Sequence, residues 1–325
     1  MAGHFRWPRR IAGGKGRLLT SPALRDEDTR AMLRTSPVLF VALATALVVC
    51  WSSGFVGIRF ATDSATVPQV LFGRSLFAGL FLLPFALWRG PKITARAVME
   101  QGIYAFLGMF LYLGGFALAI GEGVPTGLVA LMADLVPLGI AVLSAPLLGQ
   151  ALGGRQWVGT AIALAGVLAV SADALALGDA PVHAYVLPIL GMLAFALSTV
   201  VQERRAAIPL TISQRLALQC LWAAALFAPF ALWSGGLVPP LTQGYVLGML
   251  WLVVLATWGA WLIYYFFLRL CPPAMVAATV YLSPPVTMLW AWVLFDEPLG
   301  CVMAAGLVVT LAGVALVATG RIKTA

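Results

Sequence analysis

The sequence predicts an all-α membrane protein of ten transmembrane helices, arranged as two inverted five-helix repeats. Three observations carry this prediction. Of 325 residues, 62% are apolar and only 10% charged, with a mean hydropathy of +0.97, whereas an ordinary soluble chain is about a quarter charged. Lys and Arg are confined to alternate connections between the apolar runs, and the second half of the chain repeats the first. Soluble enzymes, nucleic-acid binders and secreted disulfide scaffolds are excluded by the composition alone.

A crossing helix needs about 20 mostly apolar residues to span roughly 30 Å of hydrocarbon. Residues 1–36, rich in Arg, Gly and Pro, hold no such run and read as a disordered basic tail; Met32, just ahead of the first run, is an alternative start of translation. The first span runs from Pro37 to Ile58 and stops at Arg59 and Asp63. The second, Val67 to Trp88, ends at Arg89-Gly90-Pro91-Lys92. The third, Glu100 to Ile120, is closed by Gly121-Glu122-Gly123, and the fourth runs from Val124 to Gly149. The fifth, Gln156 to Ser171, is short for a crossing, which calls for less tilt or an earlier start. The sixth, Ala184 to Val201, precedes Arg204-Arg205, and the seventh, Ser213 to Trp233, ends at Ser234-Gly235-Gly236. The eighth is Gly244 to Leu268, the ninth Pro273 to Phe295 and the tenth Cys301 to Thr319. All are continuously apolar, without the alternation a membrane β-barrel requires.

The connections set an orientation, because Lys and Arg in short loops stay on the cytoplasmic side. Eighteen of the 20 basic residues fall in the tail, after every even-numbered span, or at the C-terminus. The opposite connections hold Arg59 alone, beside Asp63, Glu122, Asp173, Asp179, Asp296 and Glu297. Both termini are therefore expected in the cytoplasm.

Gln69 to Gly90 and Gln214 to Gly235 agree at ten of 22 positions, including the run Pro-Phe-Ala-Leu-Trp. Pro125 and Pro137 match Pro273 and Pro285 in spacing, and Gly159 with Ala165-Gly166-Val167 matches Gly306 with Ala312-Gly313-Val314. Each copy holds five spans, an odd number, so the second enters the membrane from the other side. Residues 37–172 and 173–325 are read as the two repeats. Inverted repeats characterise secondary transporters, whose near-equivalent halves close one mouth while opening the other.

With these features the chain resembles the ten-span, EamA-like branch of the drug/metabolite transporter superfamily. The resemblance rests on Trp51-Ser52-Ser53-Gly54-Phe55, Arg74, the prolines Pro137 and Pro285, and the Glu297-Pro298 turn followed by Gly306 and Gly313. It implies export of amino acids, related metabolites or drugs, commonly in exchange for protons. The first half departs from the family pattern at Ser52 and at Gly149-Gln150, both structural positions.

Charges within hydrocarbon cost about 2.5–3.5 kcal/mol each at a helix centre and persist where they have a partner or a task. Asp134, near the middle of the fourth span and one turn before Pro137, is a candidate for substrate or proton binding, against a structural role at a broken helix. Arg74, in the second span at the depth of Trp51, is the other, against snorkelling or tying helices together. A zwitterionic amino-acid-like substrate would satisfy both charges. Trp51, Tyr112, Trp258 and Tyr281 are the aromatic candidates for binding substrate, and Trp258, Trp261 and Tyr265 are expected on one helical face. The hydroxyls of Thr257, Thr279, Ser283 and Ser198 are available to substrate, though such groups more often bond backbone or a neighbouring helix.

The rival classes are a membrane-embedded enzyme and a non-transporting sensor. His4 and His183 are the only histidines and lie at no metal-ligand spacing, and Cys50, Cys220, Cys271 and Cys301 form no CxxC pair. No cofactor, metal or nucleic-acid partner is expected; the expected partners are the bilayer, a small-molecule substrate and protons.

Overall fold

The computed structural model describes residues 37–88, 90–148, 150, 151, 153–177, 180–205, 208–239, 241–270, 276, 279–318, 323 and 324. The basic tail and the alternative start at Met32 lie outside the described residues. The chain is an all-α membrane protein. Its helices are α1 (Pro37–Thr62), α2 (Val67–Trp88), α3 (Ala95–Ala105), α4 (Tyr112–Gly121), α5 (Thr126–Ala133), α6 (Val136–Leu148), α7 (Gly154–Leu177), α8 (Val182–Arg204), α9 (Ile212–Trp233), α10 (Gln243–Leu250), α11 (Ala260–Leu270), α12 (Ser283–Phe295) and α13 (Cys301–Ala318). Two π-helical stretches, Phe106–Leu111 and Trp251–Gly259, join α3 to α4 and α10 to α11 into single crossings. The residue pairs Gln150–Ala151 and Lys323–Thr324 form a short antiparallel ladder.

Among the described residues eight helical segments are long and apolar enough to cross a membrane, and two shorter apolar helices lie at Ser283–Phe295 and Cys301–Val317. These ten match the ten runs in the sequence. Of the ninth run, residues 271–275, 277 and 278 lie outside the described residues. The fifth is longer, since α7 starts at Gly154 and runs on past Ser171 to Leu177.

Helix starts are fixed by side chains that satisfy the free amides of the first turn. Thr94 accepts from Ala97 N–H, Thr242 from Tyr245 N–H, and Thr211 with Gln214 forms a reciprocal capping box. The start of α5 is capped from the other repeat, where Glu297 accepts from Thr126 N–H at 3.1 Å and Gly127 N–H at 3.5 Å. Asp134 and Leu135 interrupt the fourth crossing between α5 and α6.

The two halves correspond at an offset that changes where the connections differ in length. It is 145 along α2 and α9 (Gln69 to Gln214, Gly90 to Gly235). It becomes 148 in the third and eighth crossings (Thr94 to Thr242), because residues 234–242 form a longer connection than residues 89–94. Both π-helical stretches end at matching positions, Leu111 and Gly259.

The matching helices α2 and α9 pack antiparallel, and so do α7 and α13. The α7–α13 contact is made through four glycines: a Cβ on Gly159 would sit 2.7 Å from Gly313 O, and one on Gly166 would sit 2.8 Å from Gly306 O. With little driving force to separate side chains from lipid, such close backbone approach supplies the packing. The main apolar core includes Phe55, Ile58, Val70, Leu71, Phe116, Leu128 and Leu252 and runs on to Val314 and Val317. One end of the bundle carries Asp63, Glu122 and Asp296 and is here called the acidic end. The other end carries Arg96, Arg204, Arg205 and Arg215 and is called the basic end.

Candidate substrate cavity

A cavity of about 280 Å³ opens between α1, α2, α8, α9 and the third and eighth crossings. Its inner wall consists of positions that correspond between the repeats: Arg74 with Gln219, Ser75 with Cys220, Gly108 with Ala256, Met109 with Thr257, and Leu113 with Trp261. Residues that lie opposite their own counterparts surround the pseudo-two-fold axis, so this wall is at mid-membrane, where inverted-repeat carriers place substrate. From there Tyr104, Ser198, Gln202, Arg215 and Leu216 lead to the basic end. The other end of the cavity is closed by Phe55, Ile58 and Phe116, members of the apolar core or its edge.

Gly108 and Met109 belong to the first π-helical stretch, and Ala256 and Thr257 to the second. Such stretches recur at functional sites because the widened turn redirects side chains and frees backbone groups. Here Thr257 Oγ1 donates to Leu252 O, five residues back, at 2.9 Å, and accepts from Arg74 Nε at 3.4 Å. Among the described residues, carboxylates pair with Arg59 (Asp63, 2.7 Å) and Arg96 (Glu100, 3.0 Å), and none reaches Arg74. A guanidinium has five donors in a planar fork suited to a carboxylate, so Arg74 faces the cavity with donors to spare.

Of the six residues singled out in the sequence, Arg74, Trp51 and Tyr112 line the cavity. Trp51 packs on Trp261 and Tyr264 with ring centroids 5.7 and 5.8 Å apart, and Tyr112 on Phe116 and Phe195 at 4.5 and 4.7 Å. Asp134 does not line it. It is 8% exposed at the α5–α6 break, and its Oδ2 is buried without a hydrogen-bond partner. Tyr112 is within electrostatic reach of both Asp134 and Arg74, and Tyr281 is within reach of Asp134. Tyr281 packs against the main core rather than the cavity.

Trp258 lies off the cavity as well. Its ring stacks on Phe81 of α2, centroids 3.9 Å apart, and Phe81 is half exposed on the outer surface. The expected shared face of Trp258 and Trp261 assumed α-helical winding. The π-helical stretch ending at Gly259 changes the register between them, so Trp261 reaches the cavity and Trp258 does not. The hydroxyls behave as expected for spanning helices: Ser198 Oγ donates to Tyr104 O at 3.4 Å, and Thr257 bonds its own backbone.

Gln219 and Gln202 also line the cavity, beyond the residues expected from the sequence. Gln219 is the position 145 residues after Arg74, a correspondence legible in the repeat; its Nε2 donates to Gln101 Oε1 at 2.7 Å.

The EamA-like transporter family model matches residues 38–172 and 183–319. The inner membrane transporter YedA of Escherichia coli strain K12, itself uncharacterized, is 28% identical over 288 residues, covering 87% of this chain and 91% of its own. A probable amino-acid metabolite efflux pump of the same strain is 30% identical over 133 residues, 41% of this chain and 43% of its own. One crystal structure shares the fold with a TM-score of 0.59 at 18% identity, covering 89% of this chain and 97% of the solved one. With both repeats matched, the chain belongs to the EamA-like transporter family.

Proposed function

We propose that the protein is a secondary active transporter that exports amino acids or related small metabolites across the bacterial inner membrane by alternating access. The observation that carries this reading is Arg74: a mid-membrane arginine that no carboxylate reaches among the described residues, facing a cavity walled by Trp51, Tyr112 and Trp261. A charge so placed is expensive unless something pairs with it, and a substrate carboxylate is the natural partner. The efflux-pump relative supports the substrate class, and the inner-membrane relative supports the location. In this reading the repeats are 37–172 and 173–325, both termini are cytoplasmic, and the basic end is the cytoplasmic mouth.

Asp134 serves as the proton-coupling group. It is buried beside the helix break with one oxygen free of protein hydrogen bonds, and Tyr112, which lines the cavity, is within electrostatic reach of it. Since Asp134 does not share the cavity wall with Arg74, the substrate's amino group is met by the aromatic faces, through cation–π attraction, rather than by this carboxylate.

Cells overexpressing the protein should resist growth inhibition by particular toxic amino acids or their analogues. Vesicles reconstituted with the purified protein should show saturable, gradient-dependent flux of the same compounds. Binding without flux would make the protein a sensor instead.

A further inference from the structure

The charges on the cavity wall are unbalanced. Among the described residues that line it stand two arginines, Arg74 and Arg215, and no Asp or Glu. Each guanidinium is held by one neutral acceptor: Arg74 Nε donates to Thr257 Oγ1 at 3.4 Å, and Arg215 Nη2 to Ile208 O at 3.1 Å. Two carboxylates lie behind the wall rather than in it. Glu100 is 7% exposed and accepts from Arg96 Nε at 3.0 Å, and Asp134 is buried at the α5–α6 break. At the mouth, Tyr104 is within electrostatic reach of Glu100, Arg205 and Arg215, so cations outnumber the carboxylate there too. Fixed charge of one sign in a cleft with low-dielectric walls draws in mobile charge of the other.

The two arginines are set at different depths. On α9 the residues Ile212, Arg215, Leu216, Gln219 and Cys220 line the cavity at spacings of three and four, on one helical face. Gln219 is the counterpart of Arg74 and stands with it at mid-membrane. Arg215 lies one turn before Gln219, or about 6 Å by helical rise, nearer the basic end. The donors left on each fork suit an anion apiece. With Nε engaged, Arg74 presents its two terminal nitrogens, an end-on fork for one carboxylate. With Nη2 engaged, Arg215 keeps Nε and Nη1. Leu216, between Arg215 and Gln219 on the same face, offers an apolar contact to the methylenes that would link two acidic groups.

We infer that Arg215 forms a second anion subsite in the cavity, and that the protein selects substrates with two carboxylates, acidic amino acids above all, over their neutral isosteres. The inference rests on the carrier reading above and narrows its substrate class. Arg74 takes one carboxylate at the axis between the repeats, and Arg215 takes the other one turn nearer the basic end. An amide in place of the second carboxylate brings no charge to Arg215 and one acceptor oxygen instead of two.

L-glutamate and L-glutamine differ in that one group and are nearly equal in shape, so the pair supplies the test. Binding of each labelled amino acid to the purified protein, and its counterflow into reconstituted vesicles, are measured for the native protein and for Arg215→Gln, Arg215→Met and Arg215→Lys. The native protein should take glutamate at least about tenfold more tightly than glutamine, as a hydrogen bond between charged groups allows. The preference should disappear in Arg215→Gln and Arg215→Met and be partly kept in Arg215→Lys. It is a ratio within one preparation, so partial loss of folded protein leaves it readable, and either neutral variant suffices if the other fails to fold. Glutamine taken as tightly as glutamate by the native protein, or an undiminished preference in a neutral variant, overturns the second subsite. Glutamate-selective binding with no flux of any amino acid would sink the carrier reading and leave the subsite standing, and flux of neutral amino acids without binding of glutamate would do the reverse.

Discussion

Gln69 and Gln214 make the same pair of interactions at opposite ends of the bundle. Each caps its own helix: Gln69 Oε1 accepts from Thr66 N–H at 3.1 Å, and Gln214 Oε1 from Thr211 N–H at 2.9 Å. Each then reaches past the end of the other's helix. Gln69 Nε2 donates to Gly236 O after α9, and Gln214 Nε2 to Ala86 O and Pro91 O at the end of α2. The turns they meet contain matching left-handed glycines, Gly90 at φ 136° and Gly235 at φ 129°.

Because both halves of this clasp are buried, Gln69→Ala and Gln214→Ala should each destabilise the protein by about 1–2 kcal/mol. The two sites are at opposite ends of the helix pair, so the double variant should show the sum of the single effects. Thermal unfolding in detergent measures this. A double variant no less stable than either single one would show that the clasps are not independent supports.

The glycine contact between α7 and α13 makes a sharper contrast. Gly313→Ala puts a methyl group against the backbone of Gly159 and Ala163, whereas a Cβ on Gly154 or Gly300 meets nothing within 4 Å. Gly313→Ala should lose about 1–3 kcal/mol through overpacking, while Gly154→Ala and Gly300→Ala should be close to neutral. Equal effects at all three sites would remove the helix contact as the reason for these glycines.

Glu297 holds the start of α5 across the repeat boundary. Glu297→Ala should cost about 1–2 kcal/mol, as loss of a helix cap does, and Glu297→Gln, which keeps an oxygen acceptor, should cost less. If the two variants unfold at the same temperature, the carboxylate is not acting as a cap.

Asp134→Asn removes a titratable group while keeping its size. Flux driven by a pH gradient should fall at least tenfold, and exchange of substrate for substrate, which needs no proton, should continue. Normal gradient-driven flux with unchanged pH dependence would exclude Asp134 as the coupling group.

Much of this fold was legible in the sequence because hydrocarbon permits few solutions: long apolar runs have to be helices, and the Pro-Phe-Ala-Leu-Trp repeat exposed the duplication. Arg74 and Trp51 could be placed because a charge and a large aromatic at one depth on adjacent spans have few ways to be satisfied. Asp134 and Trp258 were harder. The cavity wall excludes Asp134 because the chain breaks at that residue and turns its carboxyl into the core. Trp258 and Trp261 separate because of π-helical winding, which leaves no mark in residue spacing. Gln202 stands near the end of α8, where a polar residue is ordinary, and nothing in its spacing marks it as part of the mouth.

In the proposed function Arg74 holds a substrate carboxylate at the axis between the repeats. Counterflow of labelled amino acids into reconstituted vesicles, comparing the native protein with Arg74→Gln and Arg74→Lys, tests it most directly. A hydrogen bond to a charged group is worth about 1.5–3 kcal/mol. The half-saturating concentration should accordingly rise at least tenfold in the Gln variant, with the Lys variant between the two. An Arg74→Gln protein that carries the same amino acids with unchanged half-saturation and maximal rate would contradict the account.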